Sequence, residues 1–222
     1  MHAGQEWGIN MIQITEVKEV LGYICDVMIR EKKALTEIDS RLGDGDMGIS
    51  MEKGAMAVRQ VLEMEQDNDI SRLLLATASA FNRAAPSTLG TLISFSIMAI
   101  AKEVKGCNEI TEEQAIRFPV IMADTISMRG KAKQGDKTIL DALIPFADTL
   151  ECVYEENKDA GEALRAALAA AEKGMESTKG MLARTGRASW LDGRNKEYPD
   201  GGAVLCVKIA QELCMRREEG SR

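Results

Sequence analysis

From about residue 15 to residue 218 the apolar side chains recur at helical spacing, and no segment sustains the period-2 alternation of a half-buried strand. The run Leu164, Ala167, Leu168, Ala171, Met175, Thr178 and Leu182 falls on one helix face. Gly, Asp and Pro punctuation cuts the chain into eight helical segments, at roughly 15–32, 48–65, 70–84, 88–105, 112–129, 138–156, 160–182 and 202–218. Thr111 with Gln114, and Asp159 with Glu162, have the spacing of a capping box at two of the starts. Only 4% of residues are aromatic, so Ala, Leu, Ile, Val and the 13 Met must fill the core, which suits close-packed helices. The expected fold is all-α, an up-and-down barrel or bundle of eight antiparallel helices.

At 222 residues the chain is long enough for one good-sized core, expected over residues 11–222. The opening stretch Met1 to Asn10 is polar and unpatterned; it is expected to be disordered, with Met11 the more natural start. A formal net charge of −7 argues against a general nucleic-acid binder, yet leaves room for a nucleotide held through cations. The five cysteines are scattered without a CxxC pair, which points to a reducing cytoplasm, and no apolar run is long enough to span a membrane. His2 is the only histidine, so a mechanism that needs a histidine base or covalent anchor must take it from another chain.

Short connections between consecutive helices make neighbours antiparallel, and this sorts the loops by parity. The even loops, Gln66 to Asp69, Gly106 to Glu109 and Asn157 to Asp159, are plain. The odd loops hold the unusual chemistry: Asp39 to Asp46 (DSRLGDGD), Ala85 to Thr88 (APST), Gly130 to Thr138 (GKAKQGDKT) and Gly186 to Gly202 (GRASWLDGRNKEYPDGG). All four should open on one rim.

Each odd loop has competing readings. Gly43-Asp-Gly45-Asp-Met-Gly48 matches the dinucleotide fingerprint in form, but no buried strand precedes it and its two aspartates would repel a pyrophosphate. An EF-hand fails because no Glu closes the loop. Two readings stay open: Asp39, Asp44 and Asp46 as a Mg²⁺ site, with glycines letting the carboxylates converge, or an Asp-Gly turn with Asp46 capping the next helix. Gly130-x4-Gly135-Asp-Lys-Thr138 misses the Walker A pattern by one residue and follows no strand; locally it reads as a connector with Asp136 as N-cap. Pro86-Ser87-Thr88 is a helix start that also offers hydroxyls and N–H groups to an anion. Arg187 either clamps phosphate or pairs with a rim carboxylate, and Asp200-Gly201-Gly202 opens the last helix.

Three motifs taken in order, Asp39-x4-Asp44-x-Asp46-x-Gly48, Gly130-Lys131-Ala132 to Gly135-Asp136-Lys137-Thr138-x2-Asp141, and Gly186-Arg187-Ala188-Ser189 with Asp200-x-Gly202, give a likeness running from about residue 15 to 218. In them the chain resembles the nucleotide-binding L subunit, or L domain, of dihydroxyacetone kinases. The resemblance implies an eight-helix barrel in which Asp39, Asp44 and Asp46 hold two Mg²⁺ ions that bridge the phosphates of ATP or ADP. It implies nucleotide contacts at Met47, Gly48, Ile49, Ser50, Pro86, Ser87, Gly130, Ile139, Arg187, Asp200, Gly201 and Gly202, with Arg187 also catalytic. In such kinases the hydroxyketone is held covalently by a histidine of a separate K-type subunit, so a K-type partner is expected, with an M-type phosphotransferase-system phosphodonor and a homodimer as further partners. Two departures stand out: Met47 occupies a position where many relatives carry His, and Ala84 to Thr88 replaces a more glycine-rich phosphate loop. A nucleotide-sensing regulatory module and a nucleotide domain of the fatty-acid-kinase type are the alternative readings; the Arg187 to Asp200 region favours the hydroxyketone kinases.

Overall fold

Eight long helices form a closed ring in the computed structural model, which describes residues 11–64, 68–185 and 196–220. The chain enters through a short strand, β1 (Met11–Gln13), and α1 (Ile14–Arg30), which α2 (Lys32–Leu42) follows almost without a break. Then come α3 (Met47–Met64), α4 (Ile70–Ala84), α5 (Thr88–Glu103), β2 (Glu109–Thr111), α6 (Glu112–Ile116), α7 (Phe118–Gly130), α8 (Leu140–Asn157), α9 (Ala160–Ser177) and α10 (Gly201–Gly220). Leaving out α2 and α6, each helix packs on the next long helix in the chain, and α10 returns to α1. An ion-pair network helps to close the ring: Glu212 on α10 is 2% exposed and accepts from Arg30 at 3.0 Å and from Arg216 at 2.8 Å. The all-α expectation holds, and eight is the right number of barrel staves.

Small residues set how closely the staves approach. Ala163, Ala167 and Ala171 on α9 are fully buried against Ala142 and Phe146 of α8 and Ala203 of α10. On the opposite side Leu35, Met51, Phe81, Ile93 and Leu205 fill the core from α2, α3, α4, α5 and α10. Each such Leu, Ile, Met or Phe contributes roughly 1.5–3 kcal/mol by leaving water. Among the described residues no helix is long and apolar enough to cross a membrane, and the five cysteines carry free thiols.

Several local expectations change. The loop expected from Asp39 is shorter, because α2 carries the chain helically to Leu42 and puts Asp39 on its last turn. The segment 112–129 is two helices, since Pro119 lacks an N–H and its ring would clash with the carbonyl one turn back. The capping box at Thr111 is formed: its Oγ1 accepts from the Gln114 N–H at 3.1 Å, and Gln114 Oε1 accepts from the Thr111 N–H at 2.8 Å. The Asp159 carboxylate caps α9 by accepting from the Gly161 and Glu162 N–H groups. That helix ends at Ser177 instead of near 182; Thr178 is buried, its hydroxyl donates to the Met175 carbonyl, and Leu182 is exposed. Two three-residue strands also escape a search for alternation. Ile12 faces Ile110 in the antiparallel pair β1–β2, and Ile110 is buried against Ile70 and Val104. Met1 to Asn10 lie outside the described residues.

Candidate metal and phosphate site

The acidic loop between α2 and α3 is shaped by two glycines. Gly45 turns the chain at φ +76, a left-handed conformation that side-chain-bearing residues rarely adopt. Gly48, in the first turn of α3, faces α2 so closely that a Cβ there would lie 2.1 Å from the Lys32 carbonyl oxygen and 2.4 Å from Thr36 Oγ1. With α3 pressed against α2, Asp39, Asp44 and Asp46 each present a carboxylate oxygen within 4.8 Å of the others. Asp39 Oδ2 also accepts from the Met47 N–H at 3.1 Å, fixing the half-buried carboxylate, while Asp44 is exposed. Asp46 sits at the start of α3 and its carbonyl accepts from Ser50. The sequence left a metal site and a turn capped by Asp46 as alternatives; the three carboxylates stand close enough for the first, and the carboxylate that accepts from the first N–H of α3 is that of Asp39.

This donor set suits a hard divalent cation. Ligand oxygens of an octahedral Mg²⁺ stand about 3–4 Å apart, a spacing three carboxylates reach with small side-chain adjustments. Three like charges this close repel one another unless a cation intervenes.

A second group of residues stands at the starts of α8 and α10. Asp141 is 1% exposed, and its carboxylate accepts from the Gly135 N–H at 2.6 Å and the Thr138 N–H at 2.8 Å. Thr138 Oγ1 accepts from the Leu140 N–H, so Thr138 and Asp141 cap α8 between them. The capping role expected of Asp136 is therefore corrected: its carboxylate accepts from the Lys133 N–H instead and lies 3.8 Å from Arg184. The reason is reach, since the chain turns at Gly135 (φ +93) and Lys137 (φ +60) before α8 begins. Asp200 Oδ1 accepts from the Ala203 N–H at 2.8 Å, opening α10 as expected, and the Asp200 N–H donates to Thr178 Oγ1 at 2.9 Å. Burial pushes the Asp200 carboxyl up to about 6; the nearby Asp141 charge adds to this, and backbone N–H bonds and the Lys137 ammonium oppose it. Burial likewise lowers Lys137, with Asp200 opposing.

These loops meet on one rim, as parity requires. Gly201 lies against the Met47 side chain and Gly202 against Ile139. The Lys137 ammonium donates to the Tyr198 carbonyl at 2.8 Å, and Arg41 stacks 4.8 Å from the Tyr198 ring centre. Beside them runs a groove of about 860 Å³, bounded by Pro86, Ser87 and Thr88 at the start of α5 and by Met128, Arg129 and Gly130 at the end of α7. Leu92 and Phe95 also line it, with Arg129 stacked on Phe95 at 4.2 Å. Ser87 is less available to an anion than expected: its N–H donates to Ala85 and its Oγ accepts from Gly90, leaving the hydroxyl proton to donate outward. Ile49 and Ser50 lie in the first turn of α3, Ile49 being exposed. Sequence reasoning passed over Phe95, Met128, Lys137 and Asp141 as site residues; Thr138-x2-Asp141 is a capping signature and was the available signal for Asp141. Gly186 to Ser189, with Arg187, fall outside the described residues.

The closed ring of helices thus brings three carboxylates, a buried ammonium and a groove of about 860 Å³ to one rim. The DAK2 domain pattern matches residues 41–215, and the chain belongs to that family. It is 31% identical over 205 residues to the PEP-dependent dihydroxyacetone kinase, ADP-binding subunit DhaL, of Escherichia coli (strain K12), covering 92% of this chain and 98% of that one. To the L-erythrulose kinase of Pectobacterium atrosepticum it is 32% identical over 187 residues, covering 83% of this chain and 32% of that one. The same fold occurs in the dihydroxyacetone kinase of C. freundii in its native form, with a TM-score of 0.71 at 21% identity over 97% of this chain and 37% of that one. In that kinase's complex with AMP-PNP and Mg²⁺ the TM-score is 0.69 at 20% identity, over 97% of this chain and 36% of that one. The chain thus spans nearly all of a separate ADP-binding subunit and about a third of the larger kinases.

Proposed function

We propose that this chain is the nucleotide-binding, Mg-dependent phosphoryl-transfer subunit of a dihydroxyacetone-type kinase, acting in the cytoplasm with a separate K-type subunit that holds the hydroxyketone. The observation that carries this reading is the convergence of Asp39, Asp44 and Asp46 within 4.8 Å of one another. Near full-length similarity to a subunit named as ADP-binding supports it. Asp39, Asp44 and Asp46 would hold two Mg²⁺ ions, which when bound neutralise phosphate charge and orient the phosphates of ATP or ADP. The chain's own residues do the rest. In this reading Met47 to Ser50, Ser87, Ile139 and Asp200 to Gly202 would serve the phosphates, Pro86 and Gly130 flank the groove, and Arg187 is assigned to the phosphates by its motif alone. The phosphodonor is ATP, or ADP recharged in place by an M-type phosphotransferase protein.

Two experiments test the reading. ADP titrated by calorimetry with and without Mg²⁺ should bind well only with the metal. Asp44→Asn or Asp46→Asn should lose at least ~10-fold in Mg-nucleotide affinity with helical content intact; two variants that bind ADP like the parent would remove the metal site. Because His2 is the only histidine, the purified chain alone should leave dihydroxyacetone unphosphorylated, and a K-type subunit should restore turnover. Robust activity from the lone chain would contradict the assignment.

A further inference from the structure

Lys137 is an expensive residue where it stands. It is 3% exposed and adopts φ +60, in a loop whose Asp141 carboxylate accepts from the N–H groups on either side of it, at Gly135 and Thr138. A left-handed backbone disfavours any residue with a Cβ, and removing an ammonium from water carries a desolvation cost that its bonds must repay. Its hydrogen bond to the Tyr198 carbonyl, at 2.8 Å, returns part of that cost. A Met of similar length would cross the same space without the desolvation cost. Folding alone therefore does not account for a cation here, and strain of this kind gathers where a site must be held in one arrangement.

What the ammonium holds is specific. Tyr198 lies two residues before Asp200, whose carboxylate opens α10, and the next two residues pack on the loops the nucleotide reading uses: Gly201 on Met47, Gly202 on Ile139. The Tyr198 ring stacks with Arg41, close in sequence to Asp39. One side chain on the α7–α8 loop thus ties that loop to the segment leading into α10, and through it to the acidic loop. The same ammonium lies close enough to Asp200 to offset part of the charge that burial and the neighbouring Asp141 disfavour.

We propose that Lys137 is a positioning residue of this rim, holding the Tyr198 carbonyl so that Asp200 to Gly202, Ile139 and the acidic loop meet a Mg-nucleotide as one preformed surface. This rests on the nucleotide-binding reading above. It acts through Tyr198 and touches no reacting atom. The test compares the full chain with Lys137→Met, which removes bond and charge at similar volume, and Lys137→Arg, which keeps a donor and the charge. The readouts are thermal stability without ligand, Mg²⁺ affinity alone, and Mg-ADP affinity. Lys137→Met should melt at the parental temperature or above, bind Mg²⁺ alone as the parent does, and lose at least ~10-fold in Mg-ADP affinity. Lys137→Arg should recover part of that loss. A purely structural lysine predicts the opposite pattern. A Met variant that fails to fold, that loses affinity only in step with a lowered melting temperature, or that binds Mg-ADP like the parent overturns the proposal. A parent chain that binds Mg²⁺ but no ADP overturns the nucleotide reading and this proposal with it.

Discussion

Gly48→Ala should destabilise the protein by about 2 kcal/mol or more and, in whatever remains folded, weaken Mg-ADP binding at least ~10-fold. Two effects compete. Alanine is the better helix former, and in an open helix position the exchange gains up to about 1 kcal/mol. At Gly48, however, the added Cβ would sit 2.1 Å from the Lys32 carbonyl oxygen, and backbone cannot rotate aside as a side chain does. α2 and α3 must part, and overpacking of this kind typically costs about 1–3 kcal/mol. The displacement also matters chemically, because Asp39 rides on α2 while Asp46 opens α3; separating the helices spreads the three carboxylates. The molecule supplies its own control. Gly22 on α1 has nothing within 4 Å of where its Cβ would stand, so Gly22→Ala should stabilise slightly and leave binding alone. Denaturant unfolding and calorimetry on both variants decide the matter. A Gly48→Ala protein as stable as the parent, with parental affinity, would mean that the close approach of α2 and α3 is not what gathers the acids.

That glycine also marks what could be read from the chain. Eight staves and one chemical rim follow from periodicity and loop parity, because most connections are short enough to favour antiparallel neighbours, and the longer ones before α7 and α10 keep the alternation. Finer structure depended on forces that leave no periodic trace. The α2 extension is helical because Leu35 is fully buried in the core formed with Met51 and Phe81, a tertiary contact that overrides the polar look of Thr36 to Ser40. β1 and β2 are three residues each, too short to alternate. The acidic triad was legible because its spacing and glycines are local in sequence. Lys137 stood in the second motif, but its role did not show, because its partner carbonyl lies 61 residues away and backbone acceptors carry no sequence signature. Phe95 and Met128 were hidden for a similar reason: on helix faces they look like ordinary core positions until α5 and α7 are placed side by side.

Arg187→Ala should lower kcat about 10²-fold or more in a reconstituted kinase, roughly 2.7 kcal/mol of transition-state stabilisation. The assignment of Arg187 to the phosphates comes from the Gly186 to Ser189 motif, which lies outside the described residues, so the kinetic pattern carries the proof. A guanidinium aimed at a transferring phosphoryl group matters more in the transition state than in the ground state, because that is where charge redistributes. ADP affinity should therefore fall by a smaller factor than kcat. Arg187→Lys should rescue little, since an ammonium cannot reproduce the planar two-point contact. The same variants separate the kinase from a regulatory nucleotide sensor, which has no turnover to lose and would register the change only in nucleotide or partner binding. Steady-state kinetics with a K-type subunit, paired with ADP titration, distinguish the cases. If kcat is untouched while kcat/KM and ADP affinity fall together, Arg187 only binds nucleotide; if no hydroxyketone turns over with any K-type partner, the sensor is the better description.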